Sequence, residues 1–481
     1  MPSCDASVPA QARKRGNAVR ARTFVLVVAI VAGVAPLPGG EAVWDAPKPV
    51  RLHGVTAACS YANSYLAWMT QARKDRPPGL LVRDGDLLFL ERKTERKEGD
   101  DKAEETRHEG VYLYRASDGA EVTLAADDWS LKLGNDVVSL RLADKPEPWA
   151  WLEKADRDTL AKVRFARFEG ELAVARVPLV RKLAEASPAL GLGIEQAVTA
   201  RFVLPLAKPK QLVGGQFLLE AGAGALVPHL ADLEFLCLNV EAEHRNLSIL
   251  GRLPRLQALV LANWDPLANG PLPPGMERLR SLTLAAGKLE DLVPIAHLTG
   301  LDELRVHGCA ALTEVDSVGA LANLKALSFS RCEKVASLAA LGKLKGLKAL
   351  GLPAKTTQEQ FAAAVREHPA LQLVEMIGCK DVGDLMSLRG LRDLQALVLV
   401  GVPAGTAPLR DVKTLRFLAL DGEVFTQAAG DVAALEKALP ECVVVEGGGM
   451  CLGSGWILLL LPVAALAWLA AWHRRRRAAH A

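Results

Sequence analysis

From residue 233 to residue 445 the apolar positions recur as L-x-x-L-x-L with a nearly constant period. The units read "LEFLCL", "LQALVL", "LRSLTL", "LDELRV", "LKALSF", "LKALGL", "LQLVEM", "LQALVL" and "LRFLAL". They begin at Leu233, Leu256, Leu279, Leu301, Leu324, Leu347, Leu371, Leu394 and Leu415, and a tenth, "CVVVEG", begins at Cys442. Successive starts among the nine leucine units lie 21 to 24 residues apart. Alternation with period two turns the fourth and sixth residues of each hexapeptide inward and the third, fifth and seventh outward. No single unit can bury its inner face, so neighbours must stack into a parallel sheet over a shared core.

Between these strands the period changes to three. Leu289, Leu292, Ile295, Leu298 and Leu301 form one series, and Val335, Leu338, Leu341, Leu344 and Leu347 another; two more start at Leu312 and Val382. A strict period of three suits 3₁₀ turns rather than an α-helix. Two connections depart from it. "TTQEQFAAAVREHP" (356–369) and "TQAAGDVAALEKALP" (426–440) read as helices, each with a threonine to cap its start and a proline to end it.

This repeat resembles the leucine-rich repeat family, and its thin connections are similar to internalin-like bacterial repeats. The resemblance implies an α/β solenoid: a parallel β-sheet lining the concave side of a horseshoe, with a mostly 3₁₀ convex side. It also implies a role for Cys309, Cys332 and Cys379, which share one register where the family places Asn or Cys. A small polar side chain there is buried and bonds the turning backbone, forming a structural ladder. A Cys309–Cys332 disulfide is the less favoured alternative, because side chains stacked in register point the same way rather than at each other. No histidine joins these cysteines at finger-like spacing, so no metal is expected.

The outward columns are mostly small or apolar. Against that background Glu303, Arg305 and His307 form a polar row on one strand, with Ser328, Ser330 and Arg331 beside it and Glu375 further along the fifth-position column. The row is the candidate binding site for a protein or peptide. An ordinary solvated stretch of sheet is the competing reading.

Residues 79–142 follow a different pattern. "LLVRDGDLLFLE", "VYLYRASDGAEVTLA" and "LKLGNDVVSLRL" each set Asp-Gly or Gly-Asn between β-rich runs, as hairpins do. A small antiparallel β domain over 43–150 is therefore expected. The charged run 91–109 within it is a solvated loop, and 151–232 holds degenerate opening repeats or an N-terminal cap. The "RDGD" at 83–86 lacks the remaining ligands of a calcium loop. Cys59 stands alone in this region.

The two ends add a location. Arg13, Lys14, Arg15, Arg20 and Arg22 precede an apolar core, Phe24 to Ala35, and a small-x-small site at Gly40 and Ala42, the pattern of a signal peptide over 1–42. Leu452 to Trp472 is an uncharged stretch of 21 residues with tryptophans near both ends, followed by Arg474 to Arg477. That is long enough for one transmembrane helix, with the body outside the cytoplasm and the C-terminus within it. With Gly448, Gly449 and Cys451, the segment 447–481 resembles the glycine-rich sorting tails of Gram-negative envelope proteins. The resemblance implies processing or lipidation at those residues; a permanent anchor is the alternative.

Charge and motifs narrow the function. The two termini carry more than the whole net charge of +3, leaving a mildly acidic body that is ill suited to phosphates, so nucleic acid is not an expected partner. No H-E-x-x-H, G-x-S-x-G or phosphate-loop motif occurs. The expectation is a non-catalytic, cofactor-free, membrane-anchored or surface-sorted envelope protein that binds a protein or peptide through its repeat domain, 233–446. An enzyme with its site in the N-terminal domain, or a structural spacer, are the alternatives.

Overall fold

The computed structural model describes residues 129–447, apart from 134, 189, 221, 241–246, 286, 422–423 and 425–427, together with six short strands upstream. Five of these lie outside the main sheet. β1 (Ala42–Trp44) pairs with β4 (Arg92–Thr94), and β2 (Lys48–Val50), β3 (Asp86–Leu90) and β5 (Val111–Arg115) form a three-stranded antiparallel sheet in the order β2-β3-β5. Strand β3 thus pairs with a strand beyond the charged run, not with one across Asp84-Gly85 as the hairpin expectation had it.

The main sheet has 16 strands, every one beside its sequence neighbour. It opens with β6 (Leu124–Ala126), β7 (Ser130–Leu133) and β8 (Asp136–Leu142), which are antiparallel; β7 and β8 form the hairpin that Gly134-Asn135 foretells. From β8 onward every pairing is parallel: β9 (Phe165–Phe168), β10 (Gly191–Ile194), β11 (Gln211–Gly214), β12 (Phe235–Asn239), β13 (Ala258–Ala262), β14 (Ser281–Ala285) and β15 (Glu303–His307). The series continues through β16 (Ala326–Ser328), β17 (Ala349–Leu352), β18 (Leu373–Ile377), β19 (Ala396–Val400), β20 (Phe417–Asp421) and β21 (Val443–Gly447).

The sheet therefore crosses residues 150 and 232 without interruption, and the parallel stack begins before the first L-x-x-L-x-L unit. Its opening strands, "FARF", "GLGI" and "QLVG", keep apolar residues at the inward positions but lack the leucine spelling. Their connections are α-helical, at Pro146–Lys154, Arg157–Ala161, Val177–Ala186 and Ala197–Ala207. Aligned positions Ser139, Phe165, Gly191 and Gln211 lie 26, 26 and 20 residues apart, so the constant period fails there.

Register follows from the inward leucines. Leu236, Leu259, Leu282, Leu304, Leu327 and Leu350 align across successive strands, each at most 1% exposed. A shift of one residue would turn this whole column outward, and each such side chain gains about 1.5–3 kcal/mol from burial. The strand starts are tied in a chain: the amides of Lys325, Lys348 and Gln372 donate to the carbonyls of Asp302, Lys325 and Lys348 at 2.7–2.8 Å.

The period-three connections close as 3₁₀ turns at Val293–Ile295, Asp316–Ala320, Ala339–Lys343 and Met386–Gly390. The helix Gln358–Glu367 starts from a capping box made by Thr357 and Gln360. The helix Ala429–Ala438 begins later than its threonine implies, from Ala428 with no side-chain cap. These features make residues 129–447 a stack of repeats on one largely parallel sheet. Among the described residues no helix is long and apolar enough to cross a membrane; the signal-like segment, Cys59, and the tail with Gly448, Gly449, Cys451 and Leu452–Trp472 lie outside them.

Candidate functional site on the outward face of the sheet

Strand alternation sends Glu303, Arg305 and His307 to the outward face of β15, and the parallel register sets Ser328 of β16 directly beside Arg305. Ser330 follows two residues later, and its carbonyl accepts from the Gly308 amide at 2.9 Å, which draws the ends of the two strands together. Gly351 lies between Ser328 and Glu375 in the same column. A Cβ at Gly351 would collide with the Ser328 side chain, so glycine leaves that hydroxyl its room. The structure thus gathers Glu303, Arg305, His307, Ser328, Ser330 and Arg331, and sets Glu375 three strands from Arg305, about 14 Å at ordinary strand spacing.

The row is not the solvated surface that outward alternation implies. Glu303, Arg305 and His307 are 7%, 6% and 5% exposed, and Ser328, Ser330 and Glu375 no more than 1%. Within this dry setting Glu303 Oε2 accepts from Ser281 Oγ at 3.0 Å and from Arg305 Nη2 at 3.3 Å. Glu303 Oε1, Arg305 Nε, His307 Nδ1 and Ser330 Oγ have no hydrogen-bond partner. Each buried polar group left this way costs about 1–3 kcal/mol. Four of them, three on β15 and one just beyond β16, form a constellation of donors and acceptors without complements.

Burial, and then the nearby Arg331 guanidinium, pushes the His307 imidazole down to about 4, so it is neutral at physiological pH. Charges around the row balance: Glu303 and Glu375 against Arg305 and Arg331. Arg331 itself holds φ 57°. Its register is occupied by Asn263, Gly308, Gly378 and Gly401 in other units, all with positive φ. Among these five left-handed turns only this one is held by a long charged residue, at a cost of order 1–2 kcal/mol.

One residue further on stands the cysteine ladder. Cys309, Cys332 and Cys379 are fully buried with free thiols. Cys332 Sγ donates to Val306 O at 3.4 Å and Cys379 Sγ to Pro353 O at 3.3 Å, each reaching the preceding repeat. The hydrogen bond with Cys309, then burial, pushes the Cys332 thiol up, and burial pushes Cys379 up to about 12. Such thiols are poor nucleophiles and poor metal ligands. Trp264 and Gly287 fill the same register two units earlier and one unit earlier. Among the described residues no group of three or more His, Cys, Asp or Glu could hold a metal.

A second charged set escaped the sequence reading. Arg141 Nε lies 2.8 Å from Glu169 Oε1, and Arg167 lies 2.6 Å from Glu195 Oε1 and 3.7 Å from Glu169. Arg141 and Arg167 are fifth-position residues of β8 and β9. The alternation in "VSLRLA" and "FARFEG" is the signal that could have revealed them.

No family model matches the chain, and a search of curated proteins found no significant relative. Among solved structures it is similar to an internalin (InlF) of Listeria monocytogenes, at 17% identity over 61% of this chain and 92% of the other, with a TM-score of 0.33. A leucine-rich repeat protein of Leptospira interrogans matches at 16% over 61% and 97%, with a TM-score of 0.27. The functional domain of InlJ from Listeria monocytogenes, described as including a cysteine ladder, matches at 15% over 56% and 55%, with a TM-score of 0.31.

Proposed function

We propose that the chain is an exported, membrane-tethered repeat protein that binds a protein or peptide at the row Glu303, Arg305 and His307, with Ser328, Ser330, Arg331 and Glu375 contributing, and that it performs no catalysis of its own. The observation that carries this reading is the set of four buried polar atoms without partners on β15 and at the end of β16. A peptide amide supplies both a donor for Glu303 Oε1 and an acceptor for Arg305 Nε. Its neutrality suits a site whose own charges already balance. In a water-poor site each such pair is stronger than on an open surface. The strained Arg331 fits the same purpose, since backbone strain collects at binding sites. The export and anchoring parts of the reading rest on the signal-like start, the apolar Leu452–Trp472 and the arginines that follow.

The test is selection of peptides from a displayed library on the full chain, followed by affinity measurement against Glu303→Gln, Arg305→Met and His307→Asn. Each pair lost from a buried site should weaken binding about tenfold or more. Equal affinity for all three variants would move the binding site off this row.

A further inference from the structure

Of the four free atoms in the row, two belong to side chains already bonded to each other. Glu303 Oε2 accepts from Arg305 Nη2 and from Ser281 Oγ, which leaves Glu303 Oε1 as a free acceptor and Arg305 Nε as a free donor. Oε1 shares its carbon with Oε2, and Nε shares Cζ with Nη2, so each free atom stands next to the bond that joins the pair. One small group can therefore reach both. Both side chains are more than nine-tenths buried, and in so dry a setting a missing partner is costly.

We propose that the ligand meets this pair with a side-chain carboxamide, that of an asparagine or glutamine, whose NH₂ donates to Glu303 Oε1 and whose oxygen accepts from Arg305 Nε. The inference rests on the peptide-binding reading above and names the residue type that the row selects.

Topology decides between the ligand's main chain and its side chains. β15 pairs with β14 along one edge and with β16 along the other, so neither edge is open to a further strand. An extended chain lying on the outward face keeps its own amides in a layer about 10 Å away and sends side chains towards the sheet. Its main-chain groups run sideways, whereas Oε1 and Nε need partners from above.

Charge and valence then select among side chains. Glu303 and Arg305 offset each other, so a carboxylate would face Glu303 and an ammonium or guanidinium would face Arg305. An apolar side chain would leave both atoms unpaired. A hydroxyl carries its donor and acceptor on one atom. The carboxamide carries them on two atoms of one flat group, matching an acceptor and a donor that sit on two different side chains.

The test uses peptides selected on the full chain from a displayed library of linear random peptides. Binders that compete with one another should share an asparagine or glutamine at one position. In a synthetic copy of one binder, leucine or methionine at that position should weaken binding about tenfold or more, and aspartate or glutamate about 100-fold. These comparisons use the unaltered chain, so they stand whatever a variant does to folding. On Glu303→Gln the preference should reverse, because the new NH₂ donates to the ligand's carboxylate and the acidic copy then binds at least as tightly as the amide copy. Binders without a shared carboxamide, including binders that place serine or threonine there, would overturn this inference and leave the peptide site in place. So would an acidic copy that binds the unaltered chain as well as the amide copy does, or an amide preference that persists in a folded Glu303→Gln chain. Binders indifferent to Glu303→Gln, Arg305→Met and His307→Asn alike would place the site elsewhere and remove both readings.

Discussion

On β8 to β10 the outward face carries Arg141, Arg167, Glu169 and Glu195, and on β15 and β16 it carries Glu303, Arg305, His307, Ser328 and Ser330. Both sets are built from residues that soluble proteins seldom bury. In the first, every guanidinium meets a carboxylate within 2.6–2.8 Å, and Glu195 remains half exposed at 53%, so solvent shares the charge. In the second, the Arg305–Glu303 ion pair is longer at 3.3 Å and both partners are under 10% exposed, with unpaired atoms around them. The first set has the form of a structural network that staples the opening repeats. The second is the row proposed above to bind a peptide, and four of its atoms lack partners. Counting unpaired atoms, rather than charges, is what separates the two.

Five changes sharpen or break this contrast. The largest effect belongs to the inward neighbour of the row: Phe329→Ala should cost about 3–5 kcal/mol, because Phe329 is fully buried between Ser328 and Ser330. A denaturation midpoint measures it, and a small loss would show that the outward residues, not the core, hold β16.

Acid should act through His307. Its folded value of about 4 lies below the ordinary 6.5, so as pH falls the unfolded chain takes the proton first. The neutral imidazole's contribution is complete above pH 6.5 and is lost as pH falls from 6.5 to about 4, at most about 3 kcal/mol. His307→Asn should remove that part of the acid sensitivity, seen by comparing urea unfolding at neutral and acidic pH. An unchanged pH slope would mean that the imidazole is solvated.

Arg167→Ala should destabilise by about 2–3 kcal/mol, less than a fully buried pair because Glu195 is partly in water. Replacing Glu303 and Arg305 together by Gln and Met should change stability by no more than about 1 kcal/mol, since removing both members of an ill-satisfied buried pair is near neutral. Equal losses in the two experiments would erase the distinction between network and site.

The smallest effect has the opposite sign. Arg331→Gly should stabilise the chain by about 1 kcal/mol, by relieving the left-handed turn, while weakening peptide binding. Destabilisation would show that the guanidinium holds the turn instead.

Much of this was legible in the residues. The L-x-x-L-x-L units lie on strands β12 to β20, and the period-three leucines form 3₁₀ turns, because burial of a repeated apolar pattern admits only one register. The polar row was legible too, since alternation alone puts Glu303, Arg305 and His307 on one face. Strands β8 to β11 were less so: "FARF" and "GLGI" are short, their helical crossovers break the period, and only pairing with a neighbour reveals them as repeats. The hairpin read at Asp84-Gly85 failed for a related reason, and the one near Asp118-Gly119 lies outside the described residues. A turn signal states that the chain can reverse, but not which strand it will meet.

By itself, then, the sequence determined the stacking unit, its inward core and the chemistry of each outward column, since these depend on local alternation and on apolar side chains recurring at a fixed spacing. Only the tertiary structure decided that the sheet begins at β6, that the outward columns are dry, and that Glu303, Arg305, His307 and Ser330 retain unpaired atoms while Arg141 and Arg167 do not. Water exclusion and pairing depend on which distant segments meet, and no local pattern encodes that.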